Sequence, residues 1–186
     1  LPITLSYLLK QTYPLEYVEI IVADGNSDDN TREVATSLLL KEKIKHKVLN
    51  ERDFPDPVWV WYGHSWWRNV VIMNADKKSQ YIAWIDGDCR ADTYWLTNLW
   101  TIIKDNTDPK IAGAGGTRFV ETQWDSSQKE LVLNYYFTSN IISLGNPAFS
   151  PKGNITTIPS VAGYNSIFKK EVFDIYRYDS TFPFNT

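Results

Sequence analysis

The chain has 186 residues and a mass of 21.5 kDa. That suffices for one domain with its own core and is short for two of ordinary size. Apolar residues at 43% and charged residues at 22% exclude disorder, collagen and coiled coil as the main character. A net charge of −3 argues against a dedicated nucleic-acid binder. No apolar run reaches the roughly 18 residues of a membrane span. The single Cys89 excludes an internal disulfide and fits a reducing compartment. Aromatic residues make up 15% of the chain; filling the core is the first reading of these rings, and stacking on the C–H faces of sugars is the second.

The chain opens with Leu1 and passes directly into helical sequence, with no basic segment before an apolar one. No signal peptide is therefore expected, and the start inside an element suggests a fragment. Leu5, Leu8 and Leu9 keep helical spacing, and the helix should end at or before Tyr13, which precedes Pro14. Val18–Ala23 is a β-branched run stopped by Asp24-Gly25-Asn26-Ser27, a buried strand and its turn. Ser27 or Asp28 can cap a helix from Asp29 to Lys43. Lys47–Asn50 reads as a short strand and Glu51–Tyr62, with two prolines, as a loop. A helix is expected over Ser65–Ala75, a strand over Tyr81–Ile85, and a helix over Thr93–Lys104 with Leu96, Leu99, Trp100 and Ile103 on one face. Lys110–Val120 has strand character, Ser126–Ile142 reads as helix, and Asn146–Asn154 as loop. Thr156–Val161 follows as a strand and Glu171–Tyr176 as a short helix. The alternation predicts an α/β sandwich with a mostly parallel central sheet flanked by helices.

In open α/β sheets ligands collect at the carboxyl ends of strands. Two strands here end in carboxylates: Asp24 after the first, and Asp86 with Asp88 after Tyr81–Ile85. The D-x-D triplet sets two hard oxygen ligands on a tight turn, and Gly87 between them would admit close approach or positive φ. Mg²⁺ and Mn²⁺ take one or two such carboxylates and fill the remaining positions with phosphate oxygens and water. An EF-hand reading of the Asp24 turn fails, because its sixth and twelfth positions are Asp29 and Ala35. An aspartyl-nucleophile phosphatase would need Thr or Val where Arg90 stands. Gly113-Ala114-Gly115-Gly116 lies in strand-like sequence, so it fails the context test for a dinucleotide turn. His46 and His64 show no metal-ligand spacing, Cys89 has no histidine partner in its neighbourhood, and Asn154-Ile155-Thr156 is a glycosylation sequon without a secretion signal. Trp59, Trp61, Trp66 and Trp67 cluster before Arg68, as core or as a sugar platform.

These blocks, in this order, resemble the family 2 glycosyltransferases of GT-A fold. Leu8-Leu9-Lys10-Gln11-Thr12-Tyr13-Pro14 is similar to the family's "SLLxQTYP" helix end. Glu19–Thr31 resembles its "EIIVVDxxSxDxT" strand and turn. Arg68-Asn69 resembles its "RN", Ile82–Asp88 its strand plus D-x-D, and Gly163–Lys169 its "GxNxxFR". The resemblance implies a single GT-A-like domain over 1–186 that inverts configuration. It would move a sugar from a nucleoside diphosphate sugar, UDP-sugar first, to an acceptor hydroxyl of a carbohydrate or lipid-linked acceptor. It implies Asp24 at the nucleotide base, Arg68 near base and phosphates, and Asp86 at ribose or sugar. Asp88 would ligate Mn²⁺ or Mg²⁺ on the donor diphosphate, and Gly163 and Asn165 would line the acceptor-side loop. Polysaccharide or glycoconjugate synthesis in the cytoplasm, at the face of a membrane, follows from the same resemblance, and no nucleic-acid partner does.

Two departures matter. Nothing here matches the family's opening "VSVIIPVYN" strand, and its "ED" base pair is expected beyond Thr186, so the domain reads as truncated at both ends. Asp174 and Asp179 resemble the stretch upstream of that pair and make poor bases. A catalytically inactive nucleotide-binding member and a metal-dependent phosphoryl-transfer enzyme stand as alternatives.

Overall fold

A computed structural model describes residues 1–54, 63–108, 111–115 and 165–178. The sequence expectations for a helix over 126–142, a strand over 156–161, the 146–154 loop, the Trp59–Trp61 pair, Gly163 and Asp179 lie outside these residues. The chain divides into two compact units. The first comprises Leu1–Ile82, Gly87–Tyr94 and Lys169–Thr186; the second comprises Ala83–Asp86 and Trp95–Phe168.

The first unit begins with α1 (Pro2–Leu8), whose opening proline needs no amide partner in the first turn. A 3₁₀ turn, Leu15–Tyr17, leads into β1 (Glu19–Asp24). Helix α2 (Thr31–Lys41) and strand β2 (Lys45–Asn50) follow, and β1 and β2 pair in parallel from Glu19↔Lys45 to Asp24↔Asn50. Ile20 and Val22 point to one face of β1 and form the core with Leu5 of α1 and with Ala35 and Leu39 of α2. Leu1, Leu8, Leu9, Val18, Leu38, Ile44 and Val48 pack around this cluster. Helix α2 stops two residues before its predicted end because Lys43 adopts φ 55°, and the amides of Lys43 and Ile44 close on the carbonyls of Leu40 and Leu39.

Its start differs more. The capping position is Asn30, with no side-chain bond, while Asp29 Oδ1 accepts from the Thr31 amide at 2.9 Å. Of the two expected caps, Ser27 and Asp28, neither takes the position, and Ser27 is engaged by Asp24 instead. A 3₁₀ turn over Glu51–Asp53 starts the expected loop, and α3 (Gly63–Asn74) buries Asn69, Val70, Val71 and Ile72.

Strand β3 (Tyr81–Ile85) matches its prediction and carries the chain from the first unit into the second. The second unit holds α4 (Trp95–Lys104), with Leu99 and Ile103 buried, and β4 (Gly113–Gly115). Strand β5 (Asn165–Lys169) runs antiparallel to β4, in a three-stranded sheet of order β3-β5-β4. Of these pairings, β1–β2 is parallel, as expected of the central sheet, and β4–β5 is antiparallel. The position of Asn165 differs from the expected loop. It opens a strand rather than sitting in a loop, and its side-chain oxygen accepts from Trp95 Nε1 at 2.7 Å. A short helix, α5 (Val172–Ile175), buries Phe173, which stacks on Tyr178 with centroids 5.9 Å apart.

Candidate functional site

Strand alternation decides the environment of Asp24. Side chains on a strand alternate between faces, so Asp24 shares the buried face with Ile20 and Val22, and its side chain is only 2% exposed. A buried carboxylate is tolerated only with hydrogen-bond and charge partners. Asp24 has three. Oδ1 accepts from the Ser27 hydroxyl at 2.6 Å, Oδ2 accepts from the Ser27 amide at 3.2 Å, and Oδ2 also pairs with the Arg32 guanidinium. Arg32 Nη1 donates in addition to the Ser27 carbonyl at 3.1 Å. Burial pushes the Asp24 carboxyl upward, but the Ser27 hydroxyl, the Arg32 guanidinium and the Ser27 amide outweigh it and hold the group below the usual range. The residue that bends the turn is Asn26, at φ 65°, and not Gly25. Asparagine tolerates this left-handed conformation better than most side chains.

The D-x-D acids lie just past β3. Asp86 and Asp88 are both exposed, and Cys89 is half-buried with Sγ 3.6 Å from Asp88 Oδ1. Gly87 has no positive φ, and a Cβ there would meet only Leu1 Cδ1 at an ordinary 3.7 Å. The freedom that Gly87 would admit is thus not used: neither φ nor space demands glycine at this turn. What holds the turn is α1 and the residues that follow it. Thr4 Oγ1 donates to the Gly87 carbonyl at 2.7 Å, Gln11 Nε2 to the Asp92 carbonyl at 2.7 Å, and the Thr12 amide to the Thr93 carbonyl at 3.0 Å. Asp92 Oδ1 in turn accepts from the Tyr94 amide at 2.8 Å.

Arg68 and Asn69 act on one residue. The Arg68 guanidinium lies over the Tyr178 ring at 5.3 Å, within cation–π range. Asn69 brackets the Tyr178 backbone, donating to its carbonyl at 2.8 Å and accepting from its amide at 3.0 Å. The structure therefore brings Arg68 to Tyr178, a partner with no sequence signal. At the other end of β1, Glu19 and Asp76 form a second polar group: Glu19 Oε2 accepts from the Asp76 amide at 2.7 Å, Glu19 Oε1 lies 3.6 Å from Lys47 Nζ, and Asp76 pairs with Lys45. Its partners are internal and structural. His46, on β2, uses Nδ1 on the Ile44 carbonyl at 2.7 Å.

Compared with known families, the chain matches the profile of Glycosyl transferase family 2 over residues 1–176. The chain is a family 2 glycosyltransferase. A comparison with curated proteins yields no match. The fold of this glycosyltransferase is accordingly GT-A, its general activity is glycosyl transfer, and its substrates are a nucleotide-sugar donor and an acceptor. Family members often use a divalent cation. Among the described residues no three His, Cys, Asp or Glu side chains come together as a metal cage. An exposed turn carboxylate suits the other mode, in which one or two protein oxygens hold Mg²⁺ or Mn²⁺ and substrate phosphates complete the shell. Asp88 fits that mode. Among the described residues no helix is long and apolar enough to cross a membrane.

Four residues were missed as contributors: Thr4, Gln11, Ser27 and Arg32. Arg32 had a signal, since an acid on the buried face of a strand requires a partner and Arg32 is the first cation after it. Thr4 and Gln11 had only their position among leucines.

Proposed function

We propose that this glycosyltransferase transfers a sugar from a nucleoside diphosphate sugar, a UDP-sugar first, to an acceptor hydroxyl with inversion. The pathway would be polysaccharide or glycoconjugate synthesis at the cytoplasmic face of a membrane. The observation that carries the reading is the exposed Asp88 carboxylate on a turn held at both ends by buried donors, in a chain of this family. Asp88 would hold Mn²⁺ or Mg²⁺, which when bound would supply positive charge against the leaving diphosphate. In this reading the Asp24 turn lies at the nucleotide base, Arg68 toward base and phosphates, Asp86 toward ribose or sugar, and Gly163 and Asn165 on the acceptor side. Because the Asp24 carboxylate is occupied by Ser27 and Arg32, its contribution is to shape the turn as well as to meet the base. The acceptor proton would pass, as the hydroxyl attacks, to a carboxylate base that the resemblance places beyond Thr186. Family membership favours this reading over phosphoryl transfer.

The test is thermal unfolding with UDP, GDP and dTDP, each with Mn²⁺ or EDTA. A ligand at 100 times its Kd adds about 2.7 kcal/mol, which raises Tm by roughly 5–10 °C at this size. One nucleotide should stabilise the protein, and only with Mn²⁺. No stabilisation by any of the three would refute the donor site.

A further inference from the structure

We propose that Thr4 and Gln11 are positioning residues for Asp88: they set the backbone of the loop that carries this acid, and through it the affinity of the donor site for its divalent cation. The inference rests on the reading of Asp88 as the cation-holding residue.

Thr4 is 2% exposed and Gln11 9%. Polar groups so placed, beside a leucine core, cost stability unless hydrogen-bonded. A helical threonine or serine ordinarily satisfies itself on a carbonyl three or four residues back. Ser6 on the same helix does this, donating to the Ile3 carbonyl at 2.7 Å. Thr4 does not. Its hydroxyl crosses 83 residues of sequence to the Gly87 carbonyl. That carbonyl belongs to the peptide unit joining Gly87 to Asp88, and the unit is planar. Fixing the direction of the Gly87 oxygen therefore fixes the plane that ends in the Asp88 amide and Cα. At the far end of the loop, Gln11 Nε2 holds the Asp92 carbonyl while also reaching the Tyr7 carbonyl at 3.2 Å. Thr12 adds the Thr93 carbonyl.

Three donors from one short segment thus clamp both ends of a loop whose middle, Asp88 to Arg90, makes no helix or strand. The clamp itself is anchored, because Leu5 of α1 lies in the core with Ile20 and Val22 of β1. The loop is therefore referenced to the strand that ends in Asp24. An exposed carboxylate on an unanchored loop would lose conformational freedom on meeting a cation, and anchoring the backbone beforehand removes part of that cost. Partners that orient a metal ligand without touching the metal typically change metal affinity by 10- to 100-fold when removed.

The experiment uses the full chain and four variants: Thr4→Val, Thr4→Ser, Gln11→Met and Asp88→Asn. Binding of UDP, GDP and dTDP is titrated against Mn²⁺, and amide hydrogen exchange is followed over residues 88–91. Thr4→Val, which keeps the shape and removes the donor, should raise the Mn²⁺ concentration for half-maximal nucleotide binding by roughly 10-fold. It should leave maximal nucleotide binding at saturating Mn²⁺ unchanged and speed exchange in the loop. Thr4→Ser should restore both readouts, and Gln11→Met should act in the same direction as Thr4→Val. A folded Thr4→Val protein with the wild-type Mn²⁺ dependence overturns the inference. So does a loss of maximal binding that saturating Mn²⁺ does not restore, which would mark a merely structural residue. If Asp88→Asn keeps the wild-type Mn²⁺ dependence, the assignment of Asp88 falls, and the inference with it. If Asp88→Asn abolishes that dependence while both α1-segment donors prove neutral, only the inference falls.

Discussion

Replacing Asp24 by asparagine removes a charge from a buried carboxylate with three hydrogen-bond donors while keeping its shape. The wild-type group accepts from the Ser27 hydroxyl, the Ser27 amide and the Arg32 guanidinium, with its side chain 2% exposed. Hydrogen bonds to a charged group contribute about 1.5–3 kcal/mol each. An asparagine keeps one acceptor oxygen and turns an amide group toward a donor, so at least one charge-assisted bond is lost outright. Breaking a buried pair from one side costs about 3–5 kcal/mol. Arg32 is 28% exposed and can recover some hydration, which sets the expectation at the lower end, about 3 kcal/mol. For a chain of this length that lowers Tm by roughly 6–12 °C at neutral pH. The sign with pH follows from the depressed Asp24 pKa. The stabilisation is complete above the ordinary carboxylate value of 3.8 and is lost as pH falls through the lower folded-state value. The gap between wild type and Asp24→Asn should therefore close in acid. Thermal unfolding from pH 7 to pH 3 measures it. The Asp24→Asn/Arg32→Gln double variant should be less destabilised than the sum of its parts by about 1–3 kcal/mol. A Tm change below about 3 °C at pH 7, or one that stays constant down to acid, would refute the reasoning.

Three further outcomes are expected. Gly113→Ala should cost about 1–3 kcal/mol by urea unfolding, because its Cβ would lie 2.6 Å from the Ile167 carbonyl oxygen across the β4–β5 pair; Gly87→Ala should stay within about 0.5 kcal/mol. Asn69→Ala removes both bonds to the Tyr178 backbone and should cost about 2 kcal/mol, with faster exchange of the Tyr178 amide; unchanged exchange there would contradict the clamp. Asp76, held down to about 2 by the Lys45 ammonium first and the Lys78 amide second, contributes stability that is present above pH 3.8 and lost as pH falls toward 2. Asp76→Asn should flatten the acid limb of stability over that window, and raised salt should flatten it in wild type.

Much of the fold could be read from the chain because its elements carry local signals. Tyr81–Ile85 is a hydrophobic run stopped by Asp-Gly-Asp, and β3 has those bounds. Helix α1 follows from the spacing of its leucines, and β1 from its β-branched run. The ends of α2 were legible only to within two residues, because Lys43 takes a left-handed conformation and Ser27 turns back to Asp24, and neither choice has a local cause. Strand β5 was missed for a related reason. Asn165-Ser166-Ile167-Phe168-Lys169 comes after Gly163-Tyr164 and begins with asparagine, which reads as a turn, while its strand character comes from pairing with Gly113–Gly115 far earlier in the chain. The candidate acids were visible from their places at strand ends. Their supports were not: the Thr4–Gly87 and Gln11–Asp92 bonds span more than 80 residues, and no periodicity reports a contact of that range.

The donor site is tested most directly by anomalous diffraction at the manganese edge from crystals of the chain grown with Mn²⁺ and a nucleoside diphosphate. The account predicts a manganese peak bonded to an Asp88 carboxylate oxygen and to the diphosphate, with the base beside the Asp24 turn. A nucleotide bound elsewhere, or a manganese ion on the diphosphate with Asp88 out of its coordination shell, would contradict it.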